Sequence, residues 1–441
     1  MSASAEMSDA RALGATGPQG TSGGTRRVAL QNLGCRVNRV ECDLIARELV
    51  DAGCAIVDAP AADVVVLNTC AVTAEAEAKT RKAVRRMARL PQAPWVVATG
   101  CVATLFASSL AELSPRVVTV ADKRQVVARV LELTRDTPAC AEAPAGEAGE
   151  THAVTPTGRT RPGIKIQDGC DLRCSYCIVW KARGPSRSLS AAEVERQVSA
   201  AIGAGAREVV LTGINLGCYD SDGLTLAGLL DRLLEKTDIE RIRLSSIEPQ
   251  DVGEDLLGLM ERSDGRVAPF LHVCLQSGCD ATLRRMRRAY DAASFADVVD
   301  RARAHMPDVA LGTDLICGFP GETDAEFDES LDFCRRMGFA RMHVFRYSRR
   351  PGTPAAEAAG QVSADVSAAR ALRVRDLARG MRSRAMEALD GSVQRVLVEG
   401  CGMGSDGHLF EIDVPCALEI GTMYDLRLSY AAGRLTGEVT A

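Results

Sequence analysis

The 441-residue sequence has no apolar run of the roughly 18 residues that begin to span a bilayer, so no segment reads as a transmembrane helix. Its first residues, MSASAEMSDARALGATGPQGTSGG, lack the apolar stretch of a secretory signal, and a cytoplasmic location is expected. A basic excess is also missing: 53 basic residues face 58 acidic ones, for a net charge of −5. A nucleic-acid partner would have to be met by a local patch. Aromatics are only 4%, too few for a body built of base-stacking platforms. Neither a membrane nor DNA is an expected partner. Hydrophobic residues at 46% and charged residues at 25% exclude disorder over the whole chain, though not at its ends.

Cysteine is the residue that is not scarce. Sixteen are present, well below the density of a disulfide scaffold. In a long chain of the reducing cytosol, clustered cysteines read as metal ligands or reactive thiols. Scattered ones read as small buried hydrophobes.

The length suggests about three domains. Residues 1–25, rich in Gly, Ala, Ser and Thr, form an expected disordered extension. Residues 137–160, dominated by Ala, Pro, Gly, Glu and Thr, read as a linker. Between them, 26–136 alternates strand candidates (RRVALQNLG, DVVVLN, WVVATG, RVVTVA) with helical patterns. The block 161–390 offers six more strands: GIKIQ, EVVLTG, RIRLSS, FLHVCLQ, VALGTDLICG and RMHVFRYS. Helical patterns separate them, and a long trailing helix follows. The expected class is α/β: a parallel α/β N-terminal domain, then a (β/α)6 partial barrel. The short alternating runs of 391–441 read as a small β module.

Cys170, Cys174 and Cys177 form C-x3-C-x2-C in DGCDLRCSYC, a triplet that sixteen random cysteines give only about 2% of the time. No fourth ligand lies nearby to complete a zinc site. Three thiolates on one tight loop suit a [4Fe–4S] cluster with one iron left open for a substrate or cofactor. A purely structural iron–sulfur or zinc loop is the plainer alternative. Cys35, Cys70 and Cys101 are separated by 35 and 31 residues, yet each lies one or two residues beyond a strand. In a parallel sheet the carboxyl ends share one edge, so these three thiols can converge and again leave an iron open. The alternative is three unrelated buried cysteines. The remaining ten (Cys42, Cys54, Cys140, Cys218, Cys274, Cys279, Cys317, Cys334, Cys401 and Cys416) match no ligand spacing.

The first motif, with Tyr176 before its last cysteine, resembles the radical S-adenosylmethionine superfamily. Both blocks together resemble its methylthiotransferases, in the branch acting on threonylcarbamoyladenosine of tRNA. The resemblance is carried by LGCRVNRVE, VVLNTCAVT, ATGCVA, KIQDGCDLRCSYC, ARGPSRS, EVVLTGIN, RIRLSSIEP, LQSGCDATLRRMRRAY, TDLICGFPGET and HVFRYSRRPGTPAA. It implies two [4Fe–4S] clusters and S-adenosylmethionine. The cluster at Cys170, Cys174 and Cys177 would generate a radical. The auxiliary cluster at Cys35, Cys70 and Cys101 would hold the sulfur passed to carbon 2 of the base. It also implies tRNA as a partner, a flavodoxin-like or ferredoxin-like electron donor, and an RNA-binding TRAM-like tail. One departure is Trp180, where the family usually carries proline. Sister branches acting on isopentenyladenosine, or on a ribosomal-protein aspartate, are the rivals. A non-catalytic iron–sulfur protein binding RNA or relaying electrons is a rival of another class.

Softer candidates complete the expectation. Tyr176, Gly213, Asn215, Glu248 and Asp314 lie in the cluster loop or near strand ends, where a barrel would offer them to the cofactor; turn chemistry is the alternative for most. KTRKAVRRMARL carries six basic residues and no acidic one, placing Arg85, Arg86 and Arg89 as RNA contacts. Arg285 and Arg288 in LRRMRRAY, and Arg349 in FRYSRRPG, form the other basic sets. A solvated face is the plain alternative for each.

Overall fold

A computed structural model describes residues 25–135 and 159–440. The N-terminal extension, Cys140 and nearly all of the linker lie outside the described residues.

The first unit is a five-stranded, all-parallel sheet. Its spatial order is Cys54–Ile56, Arg26–Asn32, Val64–Thr69, Trp95–Gly100 and Val117–Val120. Val64–Thr69 is buried at every residue, as a β-branched run with helices on both faces should be. The edge strand Cys54–Ile56 went unread in the sequence because three residues are too few to show a period. Helix Arg36–Asp51 covers one face of the sheet. Helix Ala74–Ala88 covers the other, and its start is fixed by Thr73 Oγ1, which accepts from the Ala76 amide at 3.1 Å.

Six parallel strands form the second unit: Gly163–Lys165, Glu208–Thr212, Arg241–Ile247 in two pieces, Phe270–Val273, Ala310–Cys317 and Arg341–Arg346. All six sequence-read strands are present. Among the described residues no pairing joins the first strand to the sixth, so the barrel is open there. Alternation divides its residues cleanly. Leu271, Val273, Leu311, Leu315 and Val344 pack outward on the helices, which turns His272, Asp314 and His343 into the lumen.

The tail is a closed five-stranded barrel of Val393–Gly400, Met403–Ser405, Glu411–Asp413, Arg434–Val439 and Met423–Ala431. It plugs the amino-terminal mouth of the larger barrel. Arg241 donates to the carbonyls of Arg395 and Ser405, and Arg243 to those of Asp406 and Gly407. Both arginines also bind the fully buried Glu208, at 2.6 and 2.8 Å. Burial works against the Glu208 carboxylate, but Arg243 and Arg241 outweigh it and hold the pKa to about 2. The tail also departs from the reading of scattered thiols: Cys401 and Cys416 are joined in a disulfide. The turn at Gly402 packs on the loop after Glu411–Asp413, where the Val414 amide donates to the Gly402 carbonyl at 3.2 Å and brings the two together.

Candidate metal centres

Strands Arg26–Asn32, Val64–Thr69 and Trp95–Gly100 are neighbours in the sheet, so the cysteines that follow them meet at one edge. Cys35 is the N-cap of helix Arg36–Asp51, Cys70 follows its strand directly, and Cys101 opens helix Cys101–Leu105. The Cys35 side chain caps no backbone amide; its thiol donates to Asn38 Oδ1 at 3.3 Å, at a helix end that favours negative charge. The loops are locked to each other. Asn38 Nδ2 donates to Asn68 Oδ1 at 2.9 Å and to the Thr69 carbonyl at 2.8 Å, and Asn68 returns a bond to the Asn38 carbonyl. Thr69 Oγ1 donates to the Thr99 carbonyl and accepts from the Ala103 amide. Gly100 lies at φ +89°, and a Cβ there would stand 2.4 Å from both Asn68 Oδ1 and the Thr69 carbonyl. Only glycine lets the strand ends approach this closely.

Burial pushes the Cys70 thiol up to about 11, and the neighbouring Cys35 and Cys101 push it the same way. Burial raises Cys35 as well. The Cys35 and Cys70 thiols resist ionisation, and with Cys101 beside them, all unlinked by disulfides, they form a donor set that a cation would stabilise as thiolates. That chemistry fits an iron–sulfur cluster.

The second triad lies on one loop at the carboxyl end of the first barrel strand. Gly169, at φ +75°, opens the loop, and a Cβ there would strike the Pro185 carbonyl at 1.9 Å. The Cys170 amide donates to the Gly184 carbonyl, and Ser175 ties the loop to Met286 and Arg285. Burial pushes Cys177 up to about 11, with Cys174 and Cys170 adding to the rise. This donor set fits a cluster by the same argument. Two buried polar atoms at nearby strand ends, Asn215 Oδ1 and Ser245 Oγ, have no hydrogen-bond partner among the described residues. They suit the polar groups of a cofactor bound above the lumen.

The short helix Val179–Arg183, which leaves Cys177, packs on the helix that begins at Cys101, and Ile178 joins the N-terminal core. Arg183 is the hinge pin. Its guanidinium donates to Glu41 at 2.6 Å, Asn38 at 2.8 Å and Asp168 at 3.2 Å, while Lys123 and Lys165 also pair with Glu41. A cavity of about 630 Å³ beside Cys101 is lined by this network.

Other sequence-named residues take varied places. Tyr176 packs edge-on against Phe319 with its hydroxyl 3.5 Å from Arg288. A Cβ on Gly213 would meet Gln167 Oε1 at 2.8 Å. Glu248 pairs with Arg288. Asp314 lies within its strand, below the rim, between His272 and His343. Trp180 carries Arg173 over its ring at 4.4 Å. Arg85, Arg86, Arg89 and Arg349 are exposed. Arg285 is half-buried and paired with Glu326 at 2.7 Å. Arg288 corrects the expectation of a phosphate contact. Its side chain is 3% exposed and donates to Cys174 Sγ at 3.0 Å and to Tyr290, because LRRMRRAY wraps under the cysteine loop. Sequence reasoning missed Arg183 and Glu41, whose pairing spans 142 residues, and His272 and His343, which reach Asp314 from other strands; neither arrangement leaves a local spacing.

Residues 164–334 match the Radical SAM superfamily, and 27–122 match the uncharacterized protein family UPF0004. The solved structure of the radical S-adenosylmethionine methyltransferase TsrM from Kitasatospora setae, with cobalamin and a [4Fe–4S] cluster bound, shares the fold: TM-score 0.53, 16% identity, 75% of this chain and 74% of that one. Fold and site thus define a radical S-adenosylmethionine protein with an added N-terminal cysteine domain. Threonylcarbamoyladenosine tRNA methylthiotransferase MtaB of Thermotoga maritima is 34% identical, over 85% of this chain and 87% of its own. The MtaB of Bacillus subtilis is 36% identical, over 79% of each. A tRNA-2-methylthio-N(6)-dimethylallyladenosine synthase from Cereibacter sphaeroides is 30% identical, over 94% and 98%. The chain belongs to the radical S-adenosylmethionine methylthiotransferase family, in its MtaB-type branch. It is an enzyme that works with an iron–sulfur cluster and S-adenosylmethionine.

Proposed function

We propose that the protein adds a methylthio group to carbon 2 of N(6)-threonylcarbamoyladenosine beside the tRNA anticodon, in the cytoplasm. The observation that carries this reading is the pairing of two thiol triads across one domain interface, joined through Arg183. Cys170, Cys174 and Cys177 would hold a [4Fe–4S] cluster that would supply the electron for splitting S-adenosylmethionine, and Cys35, Cys70 and Cys101 would hold one that would supply the sulfur for the base. The remaining work belongs to the chain. Asn38, Asn68 and Thr69 fix the three sheet-edge loops. Arg288 holds Cys174 from the side and carries its charge to Glu248. Asn215 and Ser245 offer polar atoms to the cofactor. Arg85, Arg86, Arg89 and Arg349 offer charge to tRNA phosphates. A flavodoxin-like or ferredoxin-like protein delivers electrons.

The test is anaerobic. Reconstituted protein, S-adenosylmethionine, a reductant and an anticodon stem–loop bearing threonylcarbamoyladenosine are mixed, and nucleosides are read by mass spectrometry. The expected product carries one methylthio group in place of one hydrogen. Modification only of a dimethylallyladenosine stem–loop would favour the sister activity of the Cereibacter sphaeroides relative.

A further inference from the structure

Three adjacent parallel strands, Phe270–Val273, Ala310–Cys317 and Arg341–Arg346, turn His272, Asp314 and His343 into the barrel lumen. None of the three belongs to either cysteine triad. Pairing sets His343 directly opposite Asp314, and His272 opposite Gly312, two residues earlier on the central strand. His272 therefore reaches Asp314 on the diagonal, across Gly312. Glycine permits that crossing, since a Cβ on Gly312 would stand 2.8 Å from His272 Nδ1. As a result His272 Nε2, at 3.1 Å, and His343 Nδ1, at 3.0 Å, converge on one atom, Asp314 Oδ1. The three donor atoms all lie within 4.8 Å of one another. The imidazoles stand side by side, their centroids 5.1 Å apart and their planes 30° from parallel.

Charge separates this cluster from the inward carboxylates elsewhere in the fold. Glu41, Glu208 and Glu322 are each held by an arginine. Among the described residues Asp314 pairs with no lysine or arginine, only with the two histidines. Its Oδ2 lies 3.9 Å from the Cys274 thiol, which donates to it and leaves Oδ1 to the imidazoles. Phe270 flanks His272 and Phe345 flanks His343, with ring centroids 6.5 Å apart in each pair. Two neutral imidazoles and a carboxylate offer three lone pairs and one negative charge. A divalent cation bound by such donors at about 2.0–2.2 Å sets neighbouring ligand atoms about 3.0–3.4 Å apart. Both histidines already hold that spacing from Oδ1. Two imidazoles with one carboxylate suit zinc or iron(II). Side-chain exposure rises from 8% at His272 through 21% at Asp314 to 46% at His343, so an ion has a way in past His343.

We propose that His272 Nε2, Asp314 Oδ1 and His343 Nδ1 hold a divalent cation of the zinc or iron(II) class, in a mononuclear site separate from both cysteine triads. Three protein donors leave coordination positions for water or for an oxygen group entering the lumen. The assignment goes beyond the methylthiolation reading and does not depend on which base is modified.

Zinc is the probe. Full-length protein, with its clusters reconstituted anaerobically, is equilibrated with buffered free zinc and cleared of excess. Zinc and iron are then counted by plasma emission, and X-ray absorption at the zinc edge identifies the ligands. Wild type should take up one zinc per chain without losing iron, in a shell of nitrogen and oxygen at about 2.0–2.2 Å. Asp314→Asn and His343→Ala should each weaken zinc affinity roughly tenfold or more. Circular dichroism and iron content report whether each variant is folded and loaded. His343 is exposed, so His343→Ala carries the test should Asp314→Asn fail to fold. Wild type that binds no zinc, or folded variants that bind it with unchanged affinity, would overturn the proposal and leave a cluster joined by hydrogen bonds alone. A shell of sulfur at about 2.3 Å would overturn it as well, being the mark of zinc in a cysteine triad.

Discussion

The two cysteine triads reach the same donor set by opposite routes. Cys170, Cys174 and Cys177 share one loop of eight residues, so their geometry is local and a turn opened by Gly169 builds most of it. Cys35, Cys70 and Cys101 span 67 residues and meet only because three adjacent parallel strands end at one edge. The local site depends on its own loop and on Arg288 beneath it. The dispersed site depends on the integrity of a whole sheet and on the Asn38–Asn68–Thr69 network that locks its loops. A local motif tolerates changes elsewhere in the fold, whereas a site assembled by topology fails when any of its strand ends moves.

The largest expected effect separates the triads chemically. Cys174→Ala should abolish both cleavage of S-adenosylmethionine and methylthiolation. Cys70→Ala should abolish methylthiolation while cleavage persists. Each variant should lower anaerobically reconstituted iron from about eight per chain to about four. Undiminished methylthiolation in Cys70→Ala, measured on tRNA nucleosides, would break the comparison at its root.

Next in size is the joint between the sites. Arg183 and Glu41 are 6% and 4% exposed and bonded at 2.6 Å. Removing one partner from a buried pair costs about 3–5 kcal/mol, so Arg183→Met should lower the thermal midpoint markedly. The pH dependence follows from Glu41. Burial works to raise its pKa, but Arg183, Lys123 and Lys165 override this and hold the carboxyl well below the usual range. A carboxylate depressed by folding contributes stability above its unfolded pKa, near 4.3, and loses it as pH falls toward the folded value. Denaturant melts from pH 7 down to pH 3 should show this acid loss in wild type. Glu41→Gln should start lower and vary less.

These two tests mark where sequence stopped being informative. The C-x3-C-x2-C motif, all six barrel strands and the convergence of Cys35, Cys70 and Cys101 were legible, since each follows from spacing or from a β–α order that the chain displays openly. The Glu41–Arg183 pair was not, because its members are 142 residues apart and nothing local marks either as buried. Arg288 misled for the same reason. A run of arginines reads as a surface patch, but the chain turns LRRMRRAY beneath the cysteine loop and buries one of the four. Asp314 was read at a strand end but lies inside its strand, and its histidine partners sit on neighbouring strands that only pairing registers bring together.

A smaller effect sharpens the contrast between local and assembled geometry. Gly100→Ala and Gly169→Ala each add one methyl group at a positive φ, against backbone oxygens at 2.4 and 1.9 Å. Each should cost about 1–3 kcal/mol. Gly100→Ala should reduce only the iron bound by the sheet-edge triad, and Gly169→Ala only that of the loop. Each variant combined with the Cys→Ala change of the opposite triad should retain little iron. If either glycine variant emptied both sites equally, the two centres would be one cooperative unit.

The smallest effect lies on the surface. Helix Ala74–Ala88 turns Arg85 and Arg86 to solvent, and Arg89 follows at its C-cap. Among the described residues these three form no salt bridge, unlike Arg81, which Glu77 holds at 2.8 Å, or Lys79, paired with Glu75. Unpaired exposed cations can exchange water for phosphate without breaking a protein contact. Each phosphate contact lowers the logarithm of affinity by about 0.7–0.9 per decade of salt. Arg85→Ala, Arg86→Ala and Arg89→Ala combined should therefore weaken tRNA binding at low salt and flatten the salt slope by about two units if all three touch RNA. Iron content should not change, because the helix side bearing them carries no cysteine. Arg81→Ala is the internal contrast: its guanidinium already serves Glu77, and the slope should move little. Equal slopes for wild type and the triple variant, by filter binding across a salt series, would leave this helix a solvated face and turn attention to Arg349 and the tail barrel.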